Sequence, residues 1–185
     1  MAAIQALRIP DVKVLQIDRY GDERGFFSET YHKRRLEEAG VRIDFVQDNH
    51  SYSQACQTLR GLHLQAPPYA QAKLVRVPRG RILDICVDVR RGSPYYGQWV
   101  SAEISAQAWN QIFVPVGFLH GFITLETETE VQYKVSNHYH AESERGVIWN
   151  DPDLKIDWGA QINPILSAKD LLHPAFLDFQ SPFVY

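Results

Sequence analysis

Apolar and polar positions alternate in short bursts along most of this chain. In 81–89, RILDICVDV, the residues Leu83, Ile85, Val87 and Val89 fall on one side of an extended strand, with Asp84 and Asp88 on the other. Further strands are predicted at 12–17, 45–49, 59–65, 73–77, 99–104, 111–114, 118–125 and 130–135. Turn chemistry separates them: Pro78-Arg79-Gly80, Arg91-Gly92-Ser93-Pro94 and Pro115-Val116-Gly117. Only 31–39 reads as a helix, because it is rich in helix formers and Gly40 sits where a glycine stops one. Many short strands at regular spacing predict a mainly β fold, a sandwich or jelly roll with a few short helices. Beyond about residue 150 Asp and Pro become frequent, and this tail is expected to wrap the barrel in irregular turns. No repeat, linker or low-complexity tract breaks the chain, so residues 1–185 read as a single domain, long enough for one core.

Composition excludes several classes. Hydrophobic residues at 45% and charged residues at 22% are ordinary for a globular protein. A net charge of −3 offers no general basic field for nucleic acid, although local basic clusters suit a small anion. No apolar run approaches the roughly 18 residues of a membrane span. The opening MAAIQALRIPDV has no apolar centre of an export signal, so a cytoplasmic protein is expected. Cys56 and Cys86 are too few for a disulfide framework and lack zinc-site spacing.

The chemistry concentrates in two segments. The stretch 59–80, LRGLHLQAPPYAQAKLVRVPRG, has the outline of a metal-binding strand pair. The stretch 115–121, PVGFLHG, carries P-x-G-x-x-H, which resembles the second signature of the cupin barrels. In metal-binding cupins the first signature supplies H-x-H and a later carboxylate. Here His63-Leu64-Gln65 stands in that place, and no Glu follows before Gly80. His63 and His120 alone fall short of the three ligands a catalytic divalent metal wants, and Lys73 adds positive charge nearby. Neither a metal nor a cofactor is expected. A histidine without a metal can serve as a base, since its pKa lies near working pH.

An ordered set of segments then resembles one cupin family. They are DERGFFSE (22–29), FVQDNHS (45–51), LRGLHLQ (59–65), AKLVRV (72–77), DVRRGSPYYGQW (88–99), VPVGFLHGF (114–122), ERGVIWNDPDLKIDW (144–158) and ILSAKD (165–170). Together they resemble the dTDP-4-dehydrorhamnose 3,5-epimerases, metal-free enzymes of cupin fold. The resemblance implies epimerisation at C3 and C5 of a dTDP-linked 4-keto-6-deoxy sugar, on the route to dTDP-L-rhamnose. It implies His63 as base, with Asp170 holding its other ring nitrogen, Tyr133 as proton donor and Lys73 at the enolate oxygen. It places His120 at the same oxygen or on the sugar, and Arg24 and Arg60 on the diphosphate. Glu29, Gln47, Asp48, Asn49, Glu144 and Lys169 match positions that bind the nucleotide sugar. Tyr139 matches the residue that stacks on thymine, and Phe27 helps line that site. A homodimer, with strands exchanged or sheets extended between subunits, is also implied.

Several alternatives stay open. A related enzyme inverting C3 alone, or a ketoisomerase, would use the same groups. A sugar-nucleotide binder without activity would show no solvent exchange, and a metal-dependent cupin oxygenase would carry stoichiometric iron. Strict alternation puts Arg60 and His63 on opposite faces of their strand, unless Gly61 hosts a bulge or Arg60 serves another subunit. Leu64 stands where the family often has Tyr, which matters only if that side chain lines the sugar pocket.

Overall fold

The computed structural model describes residues 3–159 and 162–185. In chain order its strands begin with β1 (Ala3–Ala6), β2 (Lys13–Gln16) and a hairpin of β3 (Tyr20–Asp22) and β4 (Gly25–Phe27). Helix α1 (Lys33–Glu38) follows, then β5 (Gln47–Ser53), β6 (Leu59–Gln65), β7 (Lys73–Arg79) and β8 (Arg81–Asp88). The series closes with β9 (Trp99–Ser105), β10 (Asn110–Val114), β11 (Phe118–Thr124), β12 (Thr129–Val135) and β13 (Glu144–Gly146). Six strands form one sheet in the order β1-β2-β10-β7-β12-β5, and five form a second in the order β13-β6-β11-β8-β9.

Three clusters hold these layers. Between the sheets lie Val75, Val77, Ile112 and Val131 from one side and Ile82, Cys86, Phe118 and Phe122 from the other. The outer face of the five-stranded sheet buries Ile85, Val87, Leu119 and Ile123 under the C-terminal tail, through Leu154, Trp158, Phe179 and Phe183. The outer face of the six-stranded sheet packs Leu15, Leu74 and Phe113 on Leu36 and Val41. Both faces of β8 are therefore covered. Leu83, Ile85, Val87 and Val89 turn to the tail, and the side expected to be polar faces the barrel interior, with Asp84 fully buried.

Helix α1 is shorter than the predicted 31–39, because Leu36 is its one buried residue and a single turn serves to seat it. Gly40 ends it as expected, at φ +81°, with Val41 N–H donating back to the Leu36 carbonyl at 2.8 Å. Strand β1, the β3–β4 hairpin and β13 were not predicted; each is only three or four residues long and lacks a clean apolar alternation.

The ladder between β6 and β11 decides where the site residues point. His120 pairs with His63, and Phe122 pairs with Arg60, so two residues on β6, Gly61 and Leu62, stand opposite one on β11, Gly121. The extra residue is a bulge at Gly61. Gly61 has φ +101°, and a Cβ there would lie 2.5 Å from the His120 carbonyl oxygen and 2.8 Å from Gly121 Cα. Opposed residues share a face, so Arg60 and His63 both project inward beside Phe122 and His120. The bulge resolves the alternation conflict within one chain.

Candidate functional site

Between the sheets the barrel opens into a cleft of about 280 Å³, lined by Gln47, Asn49, His63, Gln65, Gln71, Lys73, Tyr133, Tyr139 and Glu144. His63 hangs from the five-stranded sheet, while Lys73 and Tyr133 come from the six-stranded one. Imidazole and phenol thus approach the cleft from opposite walls. A second cavity of about 320 Å³ lies against the outer face of the six-stranded sheet, beside Thr30, Asp48, His50 and Arg76. It contains neither His63 nor Lys73, and its arginine is bonded to Gln132.

Burial sets the electrostatics. The His63 imidazole is pushed well below its usual pKa of 6.5, first by desolvation and then by the Lys73, His120, His173 and Lys169 charges. It is therefore neutral at pH 7, as a base must be. Its Nδ1 is buried without a partner, which leaves Nε2 as the nitrogen available to the cleft. Lys73 is lowered to about 8 by burial, so its ammonium persists at neutral pH. Burial also raises the Tyr133 hydroxyl, keeping it protonated.

Lys73 belongs to a buried chain. Its Nζ lies 3.3 Å from His120 Nδ1, and His120 Nε2 lies 2.8 Å from the Asp84 carboxylate. An ionised carboxylate only accepts, so Nε2 carries the proton and Nδ1 accepts from the ammonium. Burial lowers the His120 pKa against the pull of Asp84, in keeping with a neutral ring. Cys86 Sγ lies 3.7 Å from the other Asp84 oxygen.

The mouth is tied together by Gln65, the residue in the place of a cupin metal ligand. Its amide donates to the carbonyls of Tyr69 (2.9 Å) and His138 (3.1 Å) and accepts from His140 N–H at 2.6 Å. Two loops are thereby fixed, one of them carrying Tyr139. The Tyr139 ring is exposed at the rim, with its hydroxyl 3.1 Å from Glu144 and its backbone N–H on Gln47. Glu144 also pairs with Lys169 at 2.7 Å.

The family model described as dTDP-4-dehydrorhamnose 3,5-epimerase matches residues 6–178. The chain belongs to this family. The dTDP-4-dehydrorhamnose 3,5-epimerase of Pseudomonas aeruginosa is 50% identical over 173 residues, covering 93% of this chain and 94% of its own. The crystal structure of the dTDP-6-deoxy-D-glucose-3,5-epimerase of Legionella pneumophila, in complex with dTDP-4-keto-L-rhamnose, superposes with a TM-score of 0.94 at 40% identity. It covers 99% of this chain and 98% of that one. A 3'-monoepimerase from Streptomyces bikiniensis, in complex with dTDP-quinovose, is more distant, with a TM-score of 0.85 and 31% identity over 91% of this chain and 85% of its own. The fold is thus that of the epimerases, the cupin jelly roll expected from the sequence.

Set against the expectations for a dTDP-4-dehydrorhamnose 3,5-epimerase, the cleft gathers His63, Lys73, Tyr133, Gln47, Asn49, Tyr139 and Glu144. Arg60 lies close enough to Tyr133 to act on it electrostatically, and its guanidinium also reaches the Tyr52 carbonyl at 3.3 Å. Asp48 is a departure: alternation on β5 turns it outward, onto Lys134 at 2.8 Å. Arg24, Phe27 and Glu29 also stand apart from the cleft. Arg24 is paired with Asp22 on the exposed hairpin, Phe27 is 69% exposed, and Glu29 pairs with Arg35 at 2.8 Å.

Asp170 corrects a further expectation. Rather than holding His63, its carboxylate accepts from Ser167 Oγ at 2.7 Å and lies 3.7 Å from His173 Nε2. The position beside His63 is filled by the His173 ring, packed over Gly146. Leu64 packs in the cluster under the tail and borders the cleft from its strand, so its side chain is chiefly core. Sequence reasoning gave no role to Asp84 or His173. A carboxylate inside the apolar run ILDICVDV was a legible signal for the first. Nothing in the sequence marked the second, since only the tail's path brings it to β13.

Proposed function

We propose that this chain converts dTDP-4-dehydro-6-deoxy-D-glucose to dTDP-4-dehydro-L-rhamnose, inverting C3 and C5 through enolates. The observation that carries the reading is the convergence of His63 and Tyr133 from opposite sheets on one cleft floored by Lys73. Both carbons flank the C4 ketone, so their protons become acidic once the oxygen is stabilised. Neutral His63 takes the proton with Nε2, the C–H electron pair moves toward the C4 oxygen, and the Lys73 ammonium meets the charge that develops there. Tyr133 then returns a proton to the carbon from the opposite wall, which inverts the centre. The Asp84–His120 pair holds Lys73 from behind.

Arg60 near Tyr133 suits the diphosphate, because a planar guanidinium meets phosphate oxygens in pairs. Exposed Tyr139 presents a face for thymine, with Gln47 and Glu144 setting its position. Arg24, Phe27 and Glu29 reach a nucleotide site only from a second copy of the chain, so the proposed assembly is a homodimer in the cytoplasm. The exposed rings of Tyr20, Phe26 and Phe27 on the hairpin favour such a contact.

A second reading, inversion at C3 alone, rests on the weaker similarity to the monoepimerase. Incubation with dTDP-4-dehydro-6-deoxy-D-glucose in D₂O separates the two. Deuterium at both C3 and C5 is expected. Exchange confined to C3 would establish the monoepimerase, and exchange at neither carbon would leave only a binding protein.

A further inference from the structure

The rim of the cleft is held by side chains rather than by a strand ladder. Strand β12 ends at Val135 and β13 begins at Glu144, and the loop between them carries Tyr139. Three successive main-chain groups of this loop are taken by glutamines. The His138 carbonyl accepts from the Gln65 amide at 3.1 Å, Tyr139 N–H donates to Gln47 Oε1 at 3.2 Å, and His140 N–H donates to Gln65 Oε1 at 2.6 Å. The amide of Gln65 also donates to the Tyr69 carbonyl at 2.9 Å. A primary amide has two hydrogens to give, so Gln65 keeps none for a ligand, although it lies on the cleft wall. Gln65 itself is buried. Around it the Tyr69 and His140 rings stack at 4.0 Å, Ala66 N–H donates to the Ser143 carbonyl at 2.7 Å, and Gln71 donates to the Asn137 carbonyl at 2.7 Å. The segments 66–71 and 137–144 thus meet on one buried carboxamide.

We propose that Gln65 is a positioning residue for nucleotide binding: it holds the Tyr139 ring in place at the rim and so sets the affinity for the thymine end of the substrate. This rests on the reading of Tyr139 as the stacking face. The His138 carbonyl and the His140 N–H belong to the two peptide groups that flank the Tyr139 Cα, and Gln65 grips both. The far end of the ring is met from β13, where the Tyr139 hydroxyl donates to Glu144 at 3.1 Å. A stacking ring binds most tightly when it already stands in place, because ordering a loop at the moment of binding costs conformational entropy. Without the Gln65 amide two carbonyls and one N–H lose their partner, and the loop is drawn open toward water to satisfy them. The position at which metal-binding cupins carry a ligand thus serves the nucleotide end of the cleft.

Calorimetry with dTDP and steady-state kinetics on the full chain test this. Tyr139→Ala should weaken dTDP by roughly 10- to 100-fold, the span of one lost base stack. Gln65→Met keeps the length of the side chain and loses its three bonds. It should weaken dTDP by roughly 5- to 10-fold and raise KM in step, with kcat falling less than about 3-fold. In the Tyr139→Ala background the same change should cost less than about 2-fold, because both act through one ring. Hydrogen exchange of the ligand-free Gln65→Met chain should quicken at Tyr139 and His140 while the β8–β11 ladder keeps its rates. Should Gln65→Met fail to fold, Gln65→Glu, whose carboxylate lacks both donors, makes the same comparisons. Wild-type dTDP affinity in Gln65→Met, beside a weakened Tyr139→Ala, overturns the proposal alone. So does a fall in kcat at constant KM, or a double variant whose loss is the product of the single ones. Wild-type affinity in Tyr139→Ala overturns the thymine reading instead, and the proposal with it. Binding of dTDP is read without turnover, so it stands apart from the epimerase reading, which fails only if wild-type protein exchanges neither C3 nor C5.

Discussion

At the scale of single residues, the site separates by charge state. His63 is held neutral because its pKa is depressed, and Lys73, lowered to about 8, is cationic below that pH. The base is lost only when pH falls through the depressed His63 value, and the ammonium is lost as pH rises through about 8. A plot of kcat/KM against pH is therefore expected to be bell-shaped, with its acid limb below 6.5 and its alkaline limb near 8. Lys73→Arg should carry the alkaline limb upward; a limb that stays put would assign it to another group. His63→Ala should abolish deuterium uptake at both carbons while dTDP affinity, measured by calorimetry, stays nearly unchanged. Tyr133→Phe keeps the base and loses the donor, so it should incorporate deuterium with retained configuration. Asp84→Asn removes the carboxylate behind His120 and is expected to cost roughly 10- to 100-fold in kcat, with little change in KM.

At the scale of elements, one bulge and one short helix show how local structure bears on function. Gly61 lets β6 carry an extra residue, and that residue brings Arg60 and His63 to one face. Gly61→Ala would force a Cβ against the β11 backbone at a φ that side chains avoid. It should destabilise by at least about 2 kcal/mol in urea unfolding and also lose activity, because the His63 face is set by the same bulge. Leu36→Ala should lose about 2–4 kcal/mol, since α1 is too short to persist without that buried side chain. Its kcat is expected to hold in the folded fraction, because α1 covers the outer face of the six-stranded sheet, away from the cleft.

At the scale of the whole molecule, the barrel supplies two opposed walls and the hairpin reaches outward. Light scattering should give twice the chain mass of 21.3 kDa. If Arg24 serves a second copy, neither Arg24→Ala nor His63→Ala is active alone. Mixed and reassociated in equal amounts, they should return about a quarter of the wild-type rate, because half the dimers then hold one intact site. No recovery from a dimer shown to exchange subunits would place Arg24 outside the site.

Much of this was legible in the chain. Period-two alternation and Gly/Pro turns fixed most of the strands, because burial on a pleated sheet repeats every second residue. Spacing and residue type singled out His63, His120 and Lys73, because inward strand positions are local properties, whereas the role of Tyr133 came only from the family resemblance. What only the tertiary structure decided depends on contacts between distant segments. Register set the bulge that turns Arg60 inward, and a covered second face made Asp84 a buried partner of His120 rather than a solvated charge. The path of the tail put His173 over Gly146 and moved Asp170 from His63 to its neighbour. Such pairings come from packing between strands and tail, which no local pattern encodes.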